Sequence, residues 1–301
     1  MGCTLIRKGT VGLAALLAAA TVAGGAVVAT GVSVAGAAYA GPGATATTGY
    51  YEVAADGGVF TYGTDQYYGS MGGQHLDSPI VGLATTTDGK GYWLVAADGG
   101  VFSFGDAQFY GSMGGQHLNS PIVGIAAYPG SQGYYLVAAD GGVFTFGQAQ
   151  FFGSLGGTHL NAPIVGIDAT ADGGGYYLSA ADGGVFTFGD AYFWGSAVCT
   201  GSTCAPHTAA VGMATNNSAS GGYVVAMSNG ETAYLGKASS GAGTPIPGLV
   251  KPIVGIAAPA TTTGYWLVAA DGGIFTYGSA QFYGSAGGLK LVAPIVGIAA
   301  D

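Results

Sequence analysis

The sequence contains very little positive charge. Lysine and arginine together number 6 in 301 residues, against 15 aspartates and glutamates, and the formal net charge at pH 7 is −9. Most non-specific affinity for nucleic acids comes from lysine and arginine contacts to phosphate, so this composition argues against nucleic-acid binding. The chain also lacks a P-loop, an HExxH pattern and a serine nucleophile elbow. The common templates of nucleotide-dependent and hydrolytic catalysis therefore find no support, and no cofactor is expected.

Cysteine is also scarce. Cys3 lies near the N-terminus, and the other two cysteines, Cys199 and Cys204, stand in the sequence CTGSTC. In an oxidising, extracellular setting, two close thiols in a Gly/Ser/Thr loop favour a local disulfide. A zinc site needs about four ligands and only His207 is near, so metal binding is the weaker interpretation.

The N-terminal segment differs in composition from the rest of the chain. Arg7 and Lys8 precede an uncharged run of alanine, valine, leucine and glycine, which leads to an A-x-A sequence ending at Ala40. A positive start, an apolar stretch and an A-x-A site are typical of a secretory signal peptide, which we place at residues 1–40. The run is also long enough to cross a bilayer of about 30 Å, so a retained membrane anchor is the alternative.

The rest of the chain is a repeat. The aspartate of an ADGG sequence recurs at intervals of 42 residues. The fifth copy follows an interval of 47 residues that includes CTGSTC, and it reads SNGE, with Asn229 in place of the aspartate. The aspartates are Asp56, Asp98, Asp140, Asp182 and Asp271. The sequence therefore contains six units, numbered one to six along the chain.

Each unit divides into four short apolar or alternating runs separated by turn residues, as consecutive antiparallel strands do. In the second unit the runs are PIVGLA, GYWLVA, GVFSFG and AQFYGS, within 79–112. The Asp-Gly pair between the second and third runs is a strong hairpin signal, for which both central residues need a positive φ. These features predict an all-β fold: a six-bladed β-propeller of four-stranded antiparallel blades, with residues 41–301 as a single domain.

The two ends of the repeat array are complementary. The first unit begins at Gly49 without a PIVGIA strand, and the chain finishes on a PIVGIA strand at 294–299 with no unit after it. In a closed ring the C-terminal strand completes the first blade and removes two exposed strand edges. A linear β-solenoid is the alternative, but it gives no reason for this offset.

The unit GYWLVAADGGVFSFGDAQFYGSMGGQHLNSPIVGIA resembles the repeat of secreted actinobacterial proteins built on GYWLVA-DGG-F-FGDA-FYGS-PIVGIA units. The resemblance covers nearly all of the chain after residue 40. It implies propeller-like repeats and export. It carries over no catalytic residue, because the family is largely uncharacterised.

Two acidic residues depart from the repeat. The PIVGIA run is expected to lie nearest the axis, with glycine and alanine on its crowded face, but its third copy reads VGID and has Asp168 where the other five have alanine. Asp168 is predicted to be either a solvated carboxylate in a watery channel or a contact for a cation or small ligand. Together with Glu231 of the fifth unit, it is the basis of an alternative function, a hydrolase with a site on the axial face.

The other polar motifs have structural explanations. Each ADGG turn offers one aspartate, whereas Ca²⁺ takes about six to eight oxygens, so we interpret these aspartates as turn residues. His75, His117 and His159 recur in GGQHL or GGTHL, and Lys290 takes that place in the last unit. Because the repeat symmetry separates these histidines, they are interpreted as neutral loop residues, and no metal site is predicted.

Aromatic pairs recur on the second and fourth runs of most units. Packing between blades is expected to bury most of them, but the outermost run is less covered. There Tyr110, Trp194 and Tyr283 are candidates for shallow sugar-stacking sites strengthened by multivalency. The fifth unit lacks the aromatic outer run, and it is either an eroded blade or a specialised face that includes Glu231.

Together these features predict a secreted or cell-surface, non-enzymatic binding or scaffold module at the cell envelope. Its expected partner is a glycan or a protein, and the molecule is expected to be a monomer. The predicted ligand-binding residues are Asp168, Tyr110, Trp194, Tyr283 and Glu231.

Overall fold

The computed structural model describes residues 49–198, 208–215, 221–236, 243–259 and 264–300. The predicted signal peptide and the predicted disulfide between Cys199 and Cys204 lie outside the described residues. Within these ranges the protein is all-β, and its strands form six antiparallel sheets of three strands each. A 3-10 turn at Pro129–Ser131 is the one helical element there, and no described helix is long and apolar enough to cross a membrane.

In chain order the strands are β1 (Gly49–Ala54), β2 (Val59–Gly63), β3 (Ile80–Thr85), β4 (Gly91–Ala96), β5 (Val101–Gly105), β6 (Ile122–Ala127), β7 (Gly133–Ala138), β8 (Val143–Gly147), β9 (Ile164–Ala169), β10 (Gly175–Ala180), β11 (Val185–Gly189), β12 (Ala210–Thr215), β13 (Gly222–Met227), β14 (Thr232–Gly236), β15 (Ile253–Ala257), β16 (Tyr265–Ala269), β17 (Ile274–Tyr277) and β18 (Ile295–Ala299). Each sheet has a PIVGIA-type strand, a middle strand and an outer strand. In the second unit these are β3, β4 and β5, with Gly91 opposite Gly105 across β4 and β5.

The prediction that the C-terminal strand completes the first sheet is confirmed. β18 pairs antiparallel with β1, which places Tyr51 opposite Ala299 and Val53 opposite Gly297. The PIVGIA-type strands also contact one another in a closed circuit, from β3 through β6, β9, β12, β15 and β18 and back to β3. These strands therefore form an inner ring, and the middle and outer strands extend away from it.

The hairpin turns are built by the ADGG sequence, with one difference from the prediction. Gly99 has φ of +81°, but Asp98 is not among the described residues with positive φ. The Gly99 N–H bonds the Ala96 carbonyl, and the Ala96 N–H bonds the Gly100 carbonyl, each at 2.8 Å. This is a three-residue hairpin loop with glycine in the left-handed position. The Asp98 side chain accepts a hydrogen bond from Gly100 N at 2.9 Å, which confirms its role as a turn residue.

The core consists of apolar clusters between adjacent sheets. Between the first and second sheets, for example, Tyr51 and Val53 pack with Ile80, Leu83 and Leu94, and all five are fully buried. Both faces of the middle strands are covered, because all six residues of β4 and of β7 are buried. Burial of apolar area at about 25 cal/mol per Å² is the main stabilising contribution in such an interface.

The prediction of four-stranded blades is wrong, because the fourth run forms no strand in any of the five units where it is described. We call these segments straps, and they are 65–70, 107–112, 149–154, 191–196 and 280–285. In the second unit the chain turns after β5, where the Ala107 N–H approaches the Phe104 carbonyl at 3.4 Å. The strap then packs between its own sheet and the next one. Beyond that turn, backbone N–H and C=O groups of the strap form hydrogen bonds with side chains of the neighbouring middle strands, not with the backbone of another strand.

Candidate functional site

The first tyrosine of five of the six middle strands anchors the strap of the preceding unit, whereas the Tyr265 hydroxyl of β16 lies 3.0 Å from Thr232 Oγ1. The Tyr134 hydroxyl donates a hydrogen bond to the Gly111 carbonyl at 2.5 Å and accepts one from the Tyr110 N–H at 3.2 Å. The same pair of bonds is made by Tyr50, Tyr92, Tyr176 and Tyr223. Burial raises the pKa of Tyr92 to about 12, so this hydroxyl stays protonated and continues to donate at physiological pH.

A second anchor comes from the strap's own sheet. The indole Nε1 of Trp93 donates to the Gln108 carbonyl at 2.8 Å, and Trp266 does the same to Gln281 at 2.8 Å. In the first unit the Tyr51 hydroxyl donates to the Gln66 carbonyl at 3.2 Å. In units one and two both aromatic residues of the middle strand are therefore anchors, since one ring anchors the preceding strap and the other anchors the strap of its own unit.

Glycine is required where the strap crosses the next sheet. Gly111 has φ of +129°, and a Cβ on it would lie 2.8 Å from the ring of Phe146 in β8. A Cβ on Gly69 would lie 2.7 Å from the ring of Phe104, and one on Gly153 would lie 2.8 Å from the ring of Phe188. Only a residue without a side chain fits such a contact, so the FYGS sequence is explained by packing between units.

The anchors leave an aromatic residue at the same position of each described strap in solvent. These five residues, which we call the platform residues, are Tyr67, Phe109, Phe151, Phe193 and Phe282, and their exposed fractions are 57%, 55%, 60%, 52% and 49%. They occupy the same position in units one, two, three, four and six. The residue before each of them is also exposed, and it is a glutamine in four units and Tyr192 in the fourth unit. The equivalent segment of the fifth unit, 237–242, lies outside the described residues.

The predicted stacking residues Tyr110, Trp194 and Tyr283 each follow a platform residue and are half-buried. The Tyr110 hydroxyl donates to the Ser131 carbonyl at 3.0 Å, and its ring lies against Tyr134 with centroids 5.9 Å apart. The sequence analysis missed the platform residues, because a run interpreted as a strand gave no reason to choose the first aromatic over the second. The glycine after the second aromatic is a signal in the sequence that the second aromatic is packed, because a glycine there indicates close contact with a neighbouring sheet.

Asp168 is fully buried near the end of β9. Its Oδ2 accepts a hydrogen bond from the Thr215 N–H of β12 at 2.8 Å, whereas Oδ1 has no hydrogen-bond partner among the described residues. Burial raises the pKa of Asp168 to about 7, and the bonds to Thr215 oppose that shift. The carboxyl group therefore links two strands of the inner ring, and the interpretation of Asp168 as a solvated channel residue is wrong.

Glu52 is a further buried acid that the sequence analysis missed. It is fully buried in β1, at the position that holds Leu94 in β4 and Leu136 in β7. Its Oε1 accepts a long hydrogen bond of 3.4 Å from the Ala286 N–H, and Oε2 has no partner among the described residues. Burial raises the pKa of Glu52 well above its ordinary value. The comparison of GYYEVA with GYWLVA contains the signal, so Asp168 and Glu231 are not the only acids that break the repeat.

Glu231 lies at the opposite end of the sheets from Asp168. It follows the β13–β14 turn, where its N–H donates to Asn229 Oδ1 at 2.9 Å and its carboxylate accepts from Asn229 Nδ2 at 3.2 Å. The Glu231 carbonyl accepts a hydrogen bond from the Met227 N–H, and Met227 pairs with Ala210, the first residue of β12. Asp168 instead accepts a hydrogen bond from Thr215, the last residue of β12. At about 3.3 Å per residue, the length of β12 separates the two carboxylates by well over 10 Å.

The loop histidines and turn aspartates do not assemble a metal site in the described part of the chain, where no three histidine, cysteine, aspartate or glutamate side chains are grouped to hold an ion. His75, His117 and His159 are exposed, and His75 lies 3.5 Å from Asp77. An open groove of about 320 Å³ lies between the loop before β9 and the β10–β11 turn, and both His159 and Asp182 line it.

The comparisons with known proteins concern the fold. No protein-family model matches the sequence, and no curated protein is similar to it. The fold is similar to that of the Cps50 (Swd1) β-propeller domain of Myceliophteria thermophila, with a TM-score of 0.51 and 10% identity over 78% of this chain and 94% of that domain. A protein of unknown function from Bacteroides thetaiotaomicron has a TM-score of 0.44 and 16% identity over 79% of this chain and 72% of that one. The chain is thus an all-β repeat protein with a propeller-like arrangement of sheets.

Proposed function

We propose that the protein is a secreted, non-enzymatic binding or scaffold module that acts at the cell envelope, with a glycan or a protein as partner. In this proposal the six sheets are the blades of one closed propeller. The observation that carries it is the set of platform residues, five aromatic side chains exposed at the same position of repeated units. Solvent-exposed aromatics are common binding groups, because one ring offers a large, rigid apolar surface.

Export is proposed from the N-terminal segment and from the resemblance to secreted repeat proteins. The positive start, the apolar run and the A-x-A sequence before residue 41 have the organisation of a signal peptide. A disulfide within CTGSTC would suit an oxidising compartment. The mass of the exported protein tests both, because cleavage after Ala40 removes residues 1–40 and a disulfide removes two hydrogens.

The alternative, a hydrolase with a site on the axial face, finds no support as a glycosidase that pairs Asp168 with Glu231. Hydrolysis by a carboxylate pair needs the two groups about 5 to 10 Å apart. Asp168 is fully buried and lies at the other end of β12 from Glu231. The two carboxylates therefore do not act together on one glycosidic bond.

Co-sedimentation with isolated cell envelopes tests the proposed function. The exported protein is expected to sediment with the envelope fraction and to stay in solution without it. A variant with all five platform residues changed to serine should remain in the supernatant. A wild-type protein that binds no envelope component but hydrolyses a glycoside or ester substrate would show that the proposed function is wrong.

A further inference from the structure

We infer that the platform residues form one multivalent surface for an uncharged polysaccharide chain, with one sugar-stacking position on each of units one, two, three, four and six. This inference rests on the proposed function and specifies its ligand. It differs from the sequence-based prediction that Tyr110, Trp194 and Tyr283 stack on sugars, because those three residues are half-buried in packing between units.

In units one, two and six the platform residue lies between two backbone positions that side chains anchor. In the second unit the residue before Phe109 is fixed by Trp93, through the Gln108 carbonyl, and the residues after it are fixed by Tyr134. A side chain between two fixed backbone points loses less conformational freedom on binding than a side chain on a free loop. Preorganisation of this kind increases affinity mainly by reducing the entropic cost.

The immediate neighbours of the platforms are hydrogen-bonding groups without charge. Exposed glutamines precede Tyr67, Phe109, Phe151 and Phe282. An aromatic ring beside an amide offers an apolar face for the C–H groups of a sugar and a donor and acceptor for its hydroxyls. The nearest charged residues in sequence are acidic, since Asp65 lies two residues before Tyr67 and Asp106 and Asp190 lie three residues before Phe109 and Phe193. The whole chain has a net charge of −9. Like-charge repulsion therefore disfavours an anionic polymer.

The arrangement fits a repeating polymer better than a globular protein. A protein interface needs a contiguous area of about 1,000 Å² or more, whereas each platform is one aromatic ring of at most about 250 Å². Successive straps are separated by a whole sheet, and stacked sheets lie about 10 Å apart, so neighbouring platforms are separate. A ligand with repeated, similar units is what occupies several of them at once.

Affinity electrophoresis in gels that contain a soluble polysaccharide tests this inference. The probes are neutral glucan, mannan, galactan and arabinan, with polygalacturonate as the anionic comparison. Four forms of the exported protein are compared: the wild type, Phe109→Ser, the variant with all five platform residues changed to serine, and a control. The control carries Val250→Ser, Leu289→Ser and Val292→Ser, since these exposed apolar residues lie outside the straps.

The wild type and the control should be retarded equally by at least one neutral polymer. Phe109→Ser should bind about two- to tenfold more weakly, as expected for one ring contact. The fivefold variant should lose about a hundredfold or more, because avidity is lost with the sites. If the fivefold variant fails to fold, as judged by circular dichroism, Phe109→Ser and the control still provide the comparison.

Equal retardation of wild type and variants, or retardation by polygalacturonate alone, would overturn the inference. A wild type that sediments with envelopes through a protein, and binds no neutral polymer, would also overturn it but leave the proposed function intact. Failure to bind any envelope component would contradict both. A change in sedimentation coefficient between the wild type and the fivefold variant would instead assign the platforms to self-association.

Discussion

Replacing Asp168 with asparagine is expected to stabilise the protein clearly at pH 8 and much less at pH 5. Burial raises the pKa of the Asp168 carboxyl group to about 7 in the folded state, against about 3.9 in an unfolded chain. The folded state therefore holds this proton more strongly than the unfolded state does. The associated stability is fully present below about pH 4 and is lost as the pH rises through 7.

The magnitude follows from about 1.4 kcal/mol for each unit of pKa difference. The complete loss above pH 7 is about 4 kcal/mol, of which about 1.5 kcal/mol has occurred by pH 5. Asparagine has no carboxylate to ionise, and its side-chain carbonyl can still accept the hydrogen bond from the Thr215 N–H. The wild type should therefore lose about 2 to 3 kcal/mol more stability than Asp168→Asn between pH 5 and pH 8.

Urea unfolding followed by circular dichroism at the two pH values measures this difference. Burial also raises the pKa of Glu52, but Glu52 is present in both proteins and its effect cancels in the comparison. The Tyr177 hydroxyl, whose pKa burial raises to about 12, does not titrate in this range. Equal changes of unfolding free energy in the two proteins would refute the reasoning. Asp168→Ala restores the residue of the other units. Like Asp168→Asn, it should lose less stability than the wild type between pH 5 and pH 8, but it also loses the hydrogen bond to the Thr215 N–H.

Three further predictions test the packing between units. Glu52→Leu, which inserts the leucine of other middle strands, should raise the melting temperature more at pH 8 than at pH 5. The raised pKa of Glu52 makes its ionisation destabilising at higher pH. Scanning calorimetry at both pH values measures this difference. Tyr134→Phe should lower the free energy of unfolding by about 1 to 3 kcal/mol, because two bonds to the preceding strap are lost. Gly111→Ala should cost more than about 2 kcal/mol in urea unfolding, since its Cβ would meet Phe146. Its control, Gly115→Ala, also has positive φ but nothing within 4 Å, and should cost about 1 kcal/mol.

The sequence was sufficient to predict the β-strands, the unit boundaries and the pairing of β18 with β1. Those features depend on alternation, on turn residues, and on a strand that the first unit lacks and the last unit has in excess. All of these can be read from short segments or counted along the sequence. The position of the fourth run was not predictable in this way. Its aromatic alternation is that of a strand, but its backbone bonds go to hydroxyl and indole groups such as those of Tyr134 and Trp93. These partners become visible only when two units are packed together.

The candidate site shows the same limit. The sequence indicated that aromatics of the fourth run were candidates for binding, but exposure distinguishes Phe109 from Tyr110, and exposure depends on the next unit. Asp168 was identified as an exception to the repeat, yet its burial against Thr215 could not be anticipated from the crowded inner ring alone. Glu52 was present in the sequence as an equally clear exception, and a position-by-position comparison of all six middle strands finds it.

Carbene footprinting of the exported protein, with and without isolated cell envelope, tests the central claim most directly. The label reports solvent exposure residue by residue, so one experiment measures both whether the protein binds and where. The account predicts that envelope protects the five platform residues from labelling and leaves Val292, which is 94% exposed, unchanged. Protection confined to the groove beside Asp182, or to no platform residue, would contradict it.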